Sequence, residues 1–127
     1  MKIIRLLGVV VILYGLTYLF HAVRQILGSI DRGSASMFYV HVIGLNLCIG
    51  TVTTVIGIGL LLLQKWARIA WLVTVTLLVL EHCLVLFLWY VDGQNLTGQI
   101  LNVALTSFLA LISWAKLTDE RTKKHFR

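Results

Sequence analysis

The sequence predicts an all-α fold: a four-helix transmembrane bundle, up-down-up-down, with both termini on the cytoplasmic side. Three observations carry this prediction. The 127 residues are 59% hydrophobic and only 13% charged, with a mean hydropathy of +0.93. A soluble domain is about 45–50% apolar and about 25% charged, and a chain this short cannot hide the excess in a core. The apolar residues gather into four stretches, 3–27, 38–63, 66–91 and 96–114. Each is near or above the ~20 residues an α-helix needs to cross ~30 Å of hydrocarbon. Finally, the basic residues fall on alternate connections, as four crossings require.

The first span opens behind Lys2 and Arg5. It is too long for the ~7–15-residue apolar region of a signal peptide, so the small residues Ser34-Ala35-Ser36 are read as loop and not as a cleavage site. Tyr14, Tyr18, His21 and Gln25 recur at i, i+4, i+7 and i+11 and share a face, with Thr17 and Arg24 flanking it. Gly28 to Met37 reads as a short exposed connection.

The second span is rich in small residues: Gly44, Cys48, Gly50, Thr54, Gly57 and Gly59. Lipid offers helices no hydrophobic drive to associate, so small-xxx-small pairs such as Gly50/Thr54 and Thr53/Gly57 mark close contact. The second span is therefore expected to be the most buried. Gln64 to Arg68 makes a tight turn into the third span, which carries Glu81 and His82 in the run TLLVLEHCLVLFLW. Asp92-Gly93-Gln94-Asn95 is a turn signal, with Asn95 placed to cap the fourth helix. Asn95-Leu96-Thr97 matches a glycosylation sequon but lies against the membrane and is read as chance. The fourth span has a polar stripe, Asn102, Thr106, Ala110 and Ser113, and ends in a basic tail, 115–127. No proline interrupts any span.

Lys2, Arg5, Lys65, Arg68, Lys116, Arg121, Lys123, Lys124 and Arg127 all fall on one side of this topology. Only Arg24 and Arg32 fall on the other, offset by Asp31 and Asp92. The positive-inside rule makes the first side cytoplasmic. Trp66, Trp71 and Trp114 are expected near that interface, and Phe38, Tyr39, Trp89 and Tyr90 near the opposite one. The tail, TDERTKKHFR, is read first as a topology determinant, with a lipid-binding or partner-binding basic patch as the alternative. The net charge of +6 argues for no nucleic-acid partner, because no soluble surface presents it.

Depth counting places one polar set in the outer half of the membrane. Glu81 lies about 22 Å along its helix. His21, Arg24, His41, Asn46 and Asn102 fall at comparable levels, so each span contributes. Glu81 and His82 are about 100° apart around the helix, so only one of them faces inward. An ionised side chain near the bilayer centre costs about 2.5–3.5 kcal/mol. Glu81 is therefore expected to be neutral or paired inside the bundle, with Arg24 as the favoured partner and His21 or His41 as alternatives. The set is read first as structural, and second as a proton or ligand site.

Haem or quinone are lesser alternatives, and no cofactor is assigned. No HxxxH or ExxH repeat supports a metal, and no catalytic constellation is present. Glu81 is the only acid in any span. Cys48 and Cys83 lack a CxxC pattern and are read as buried free thiols.

Two passages resemble known families. RLLGVVVILYGLTYLF, residues 5–20, resembles the opening helix of DoxX-like small bacterial membrane proteins. GIGLLLLQKWARIAWLV, residues 57–73, is similar to the helix-turn-helix passage of uncharacterised four-helix bacterial inner-membrane proteins. The resemblance implies a multi-pass protein of the bacterial inner membrane and carries no catalytic residue onto this chain.

The whole chain, 1–127, is read as a single transmembrane domain without enzymatic activity. The leading expectation is an accessory or assembly subunit that packs against a larger membrane complex, or against itself, within the lipid bilayer. The alternative is a small transporter or a lipid- or quinone-binding protein that uses the polar cluster around Glu81.

Overall fold

The structure, a computed structural model, describes residues 2–32 and 37–126. Four long helices follow one another: α1 (Lys2–Arg32), α2 (Met37–Leu61), α3 (Lys65–Val91) and α4 (Thr97–Leu117). A short fifth, α5 (Glu120–Lys123), closes the chain. Each long helix contains a segment long and apolar enough to cross a membrane. The chain is thus a small multi-pass membrane protein with the expected all-α four-helix bundle.

The helices form a ring in chain order. α1 packs along α2, α2 borders α3, α3 packs along α4, and α1 touches α4 over only a short stretch. Short links make consecutive helices antiparallel. The N-terminus, the α2–α3 turn and the C-terminal segment therefore share one end, the basic end. The α1–α2 connection and the α3–α4 turn share the other, here the far end.

α1 runs past the expected boundary at Gly28 and stays helical to Arg32. A single glycine costs a helix interior about 1 kcal/mol, too little to stop so long a run. Ser29 Oγ, just beyond it, donates back to the Ile26 carbonyl at 2.7 Å. The rest of the expected connection, Gly33 to Ser36, lies outside the described residues. So do Met1, Arg127 and the side chains of Asp31, Arg32, Met37, Phe38 and Tyr39.

α1 and α2 meet along a glycine seam. A Cβ built on Gly57 would lie 2.9 Å from the backbone nitrogen of Ile12 and 3.0 Å from the Gly8 carbonyl. One heptad away, a Cβ on Gly15 would lie 2.8 Å from the Thr54 nitrogen and 2.9 Å from the Gly50 carbonyl. Thr54 Oγ1 donates to that same carbonyl at 2.7 Å. Thr53 is fully buried, and its hydroxyl finds no partner among the described residues. The seam buries α1 as much as α2, so the second helix is not uniquely the most buried.

The apolar core fills the basic half. Ile4, Leu7 and Val11 meet Ile56 and Leu60, Ala67, Trp71 and Val75, and Leu117. Trp71 departs from the interfacial position that its sequence context predicts. It is fully buried instead, because its indole N–H is satisfied inside by Ser113 Oγ at 2.8 Å. Ser113 in turn donates to the Leu109 carbonyl at 2.7 Å. Trp66, Trp114, Trp89 and Tyr90 are exposed near the helix ends, as amphipathic rings at an interface are.

The C-terminal segment folds back on the bundle. Asp119 accepts from the Arg121 nitrogen and starts α5, and Phe126 then turns back into the apolar core, against Arg68. Burying a phenyl ring stabilises by about 1.5–3 kcal/mol, enough to hold so short a segment against the bundle.

Candidate functional site: a polar cleft between α1 and α4

Where α1 faces α4, toward the far half, a cleft of about 260 Å³ runs into the bundle. Every long helix contributes to its walls: Tyr14, Thr17, Tyr18 and His21 from α1, Asn46 from α2, His82 from α3, and Asn102, Leu105 and Thr106 from α4. Only Leu105 is apolar. Thr17, His21, Asn102 and Leu105 are exposed and form the rim, while His82 and Thr106 are buried and form the floor.

The local sequence explains the convergence. The i, i+4, i+7 spacing turns Tyr14, Tyr18 and His21 to one side of α1, and the Asn102–Thr106 pair faces them from α4. Tyr14 and Tyr18 pack edge to face with centroids 5.4 Å apart. Rings this large fill the side of α1 that faces α3 and α4, whereas the glycines on its other side let α2 come close.

His82 organises the floor. Its Nδ1 lies 2.8 Å from the Leu78 carbonyl and 2.7 Å from a Glu81 carboxylate oxygen. Both partners accept, so Nδ1 carries a proton and donates to them. Nε2 then faces the Tyr18 hydroxyl at 3.5 Å. From there the hydroxyls continue, Tyr18 to Tyr14 at 3.4 Å and Tyr14 to Thr106 at 3.3 Å. An O–H···O bond is normally 2.5–3.0 Å. The chain of groups from Glu81 across the core to α4 is therefore loosely joined. Its hydroxyls keep hydrogen-bonding capacity that a guest in the cleft can use.

Of the expected site residues, the structure brings His21, Asn46, His82 and Asn102 together. Asn46 also donates to Gln25 at 3.1 Å, tying α2 to α1 behind the cleft. Glu81, Arg24 and His41 are exposed and do not line it.

The expected inward pairing of Glu81 with Arg24, His21 or His41 is corrected. Glu81 points to the perimeter, half-exposed, and its ion pair among the described residues is with His82. An imidazole suits the interior better, since the Leu78 carbonyl and Tyr18 satisfy both its nitrogens there, and an ionised carboxylate does not. Cys48 and Cys83 are free, as expected, but lie exposed and not buried. Lipid accepts a thiol as readily as a core does. Asn95 Oδ1 accepts from the Thr97 nitrogen at 3.1 Å, but the capping position itself falls to Leu96, one residue later than expected, which offers no side-chain cap.

Tyr14, Tyr18 and Thr106 lie on the two polar stripes that the sequence displays, outside the expected polar cluster. The signal was the coincidence of two such stripes at one depth on helices that become neighbours only when the ring closes. No group of three or more His, Cys, Asp or Glu that could hold a metal ion occurs among the described residues. Comparison with known protein families, characterised proteins and solved structures finds no match to this chain.

Proposed function

We propose that this chain is a non-enzymatic protein of the bacterial inner membrane, with both termini cytoplasmic, that seats the polar head of a lipophile of the lipid or quinone class. The cleft is the observation that carries this reading. Its eight polar lining residues lie in a membrane-spanning bundle, where unsatisfied polar groups are costly. Pockets for whole drug-sized ligands run to about 300–1,000 Å³. A space of about 260 Å³ suits a head group whose tails remain in lipid. The weak α1–α4 contact supports lateral entry. Tyr18, His82 and Asn102 supply donors and acceptors for a carbonyl or hydroxyl head.

The test is extraction of protein purified in mild detergent, followed by mass spectrometry of the retained lipophiles. One species enriched in native protein and lost from Y18F and H82Q supports the reading. Identical profiles in all three overturn it.

A second reading, an accessory or assembly subunit, is favoured by Glu81. A half-exposed carboxylate on the lipid-facing side of a span carries an insertion cost of about 2.5–3.5 kcal/mol. A donor on a partner helix would remove that cost. Pull-down from native membranes tests this reading: a partner captured by native protein and lost with E81L supports it, and a partner set indifferent to E81L removes it.

A further inference from the structure

The α3–α4 face at the basic end carries a second, different concavity. It is an apolar groove of about 440 Å³, walled by Ile69, Leu72, Val73 and Leu77 of α3 and by Trp114 and Leu117 of α4. Trp114 is laid across it by a hydrogen bond from its indole to Thr76 Oγ1 at 3.2 Å. Arg68 and Lys123 stand in its lining as cations.

Arg68 is the anomaly. Its Nε and Nη1 are shielded from solvent and have no hydrogen-bond partner among the described residues. Among the described residues no carboxylate pairs with it: the two ion pairs there are Glu81–His82 and Glu120–Lys123. Its guanidinium instead stacks over Phe126, 5.8 Å from the ring centroid. The packing of Phe126 thus holds the fork in place and, among the described residues, supplies no anion. A guanidinium is always charged, and its planar donors match phosphate oxygens.

We propose that this groove is a binding site for one anionic phospholipid, with its phosphate on Arg68, assisted by Lys123, and an acyl chain along Leu72, Val73 and Leu77. The two halves of the site select one occupant. An unpaired cation at a helix end calls for an anion, and a continuous apolar trough along two membrane-spanning helices calls for a hydrocarbon chain. A molecule carrying both satisfies them at once. Glu120 competes for Lys123, so Arg68 dominates the selectivity. This site is separate from the far-half cleft and does not depend on the function proposed for it.

The experiment measures lipid binding by native mass spectrometry and thermal unfolding on full-length protein in detergent. The probes are phosphatidylglycerol, phosphatidylcholine of the same chains, and inorganic phosphate. Phosphatidylglycerol is expected to give a one-to-one adduct and to raise the unfolding temperature, at least tenfold more tightly than phosphatidylcholine. R68Q is expected to abolish that preference and K123Q to weaken it a few-fold. R5Q, which removes the same charge elsewhere at this end, is expected to leave it intact. V73W fills the trough with every charge kept and is expected to lose phosphatidylglycerol at least tenfold.

Equal binding of the two lipids, or equal loss with R5Q and R68Q, overturns the site in favour of diffuse charge. Equal stabilisation by inorganic phosphate overturns the lipid as occupant. Should R68Q fail to fold, V73W decides: unchanged phosphatidylglycerol binding there overturns the proposal.

Discussion

At the basic half of the bundle, the Gly8–Gly57 contact leaves no room for a single methyl, and every apolar side chain from Ile4 to Phe126 that enters the core is sealed from solvent. Toward the far half, off the glycine seam, tyrosines and histidines from α1 and α3 come together, hydroxyls stand 3.3–3.4 Å apart, and a cleft opens to the perimeter. Both halves belong to the same helices. The difference teaches that in lipid, where burial of hydrocarbon gives helices no drive to associate, closeness is set by the size of side chains at the seam. The tight half supplies stability, and the loose half, lined by aromatic rings, can hold a guest.

The sharpest way to break this contrast is to add atoms to each half. Gly15 lies in the seam, and even a methyl there meets backbone. Overpacking of this kind costs about 1–3 kcal/mol. G15A is expected to fall in that range and G15L to exceed it. Gly44, on the same helix pair toward the far end, has nothing within 4 Å, so G44A is expected to be neutral or stabilising by up to about 1 kcal/mol, as alanine is the better helix former. Thermal unfolding in one detergent checks all three. A G15A protein as stable as native would mean that the seam is not what holds α1 to α2.

A smaller effect separates the two polar sites. In the tight half, the Trp71 indole depends on Ser113 alone, so S113A leaves a buried N–H unpaired, at about 1–3 kcal/mol. In the loose half, Y18F removes a hydroxyl whose bonds are already 3.4 Å or longer. Its expected cost is below about 1 kcal/mol, with loss of the retained lipophile as the visible consequence. If Y18F destabilised more than S113A, the far-half hydroxyls would be structural and the cleft reading would lose its footing.

The same contrast decides what the sequence disclosed. Span lengths, helix order and the glycine seam follow from composition and spacing, which act locally. The far-half polar set was legible because His21, Asn46, His82 and Asn102 share a depth, and depth follows from counting residues. The inward member of the Glu81–His82 pair was not, since that choice turns on whether the Leu78 carbonyl and Tyr18 stand ready for an imidazole. Nor were the burial of Trp71 and the docking of Phe126, which rest on a partner 42 residues away along the chain in the first case and on Arg68 at the start of α3 in the second.

The smallest expected effect concerns the two tight turns. Both end a helix in a Schellman arrangement: Gln64 donates to Gly59 and Leu63 to Leu60 after α2, and Gln94 to Trp89 and Gly93 to Tyr90 after α3. The left-handed position is held by Leu63 at φ 56° in one turn and by Gly93 at φ 67° in the other. A side chain there costs roughly 1–2 kcal/mol. Leu63 offsets this by packing against the basic-half core, whereas nothing lies within 4 Å of a Cβ at Gly93. L63G trades relieved strain for lost burial and added unfolded-state freedom, and is expected within about 1 kcal/mol of native. G93L gains no burial and is expected to be the more destabilising swap, by about 1 kcal/mol. If L63G instead stabilised the protein by more than G93L destabilised it, the Leu63 side chain would contribute no packing, and the sealed core would stop short of the α2–α3 turn.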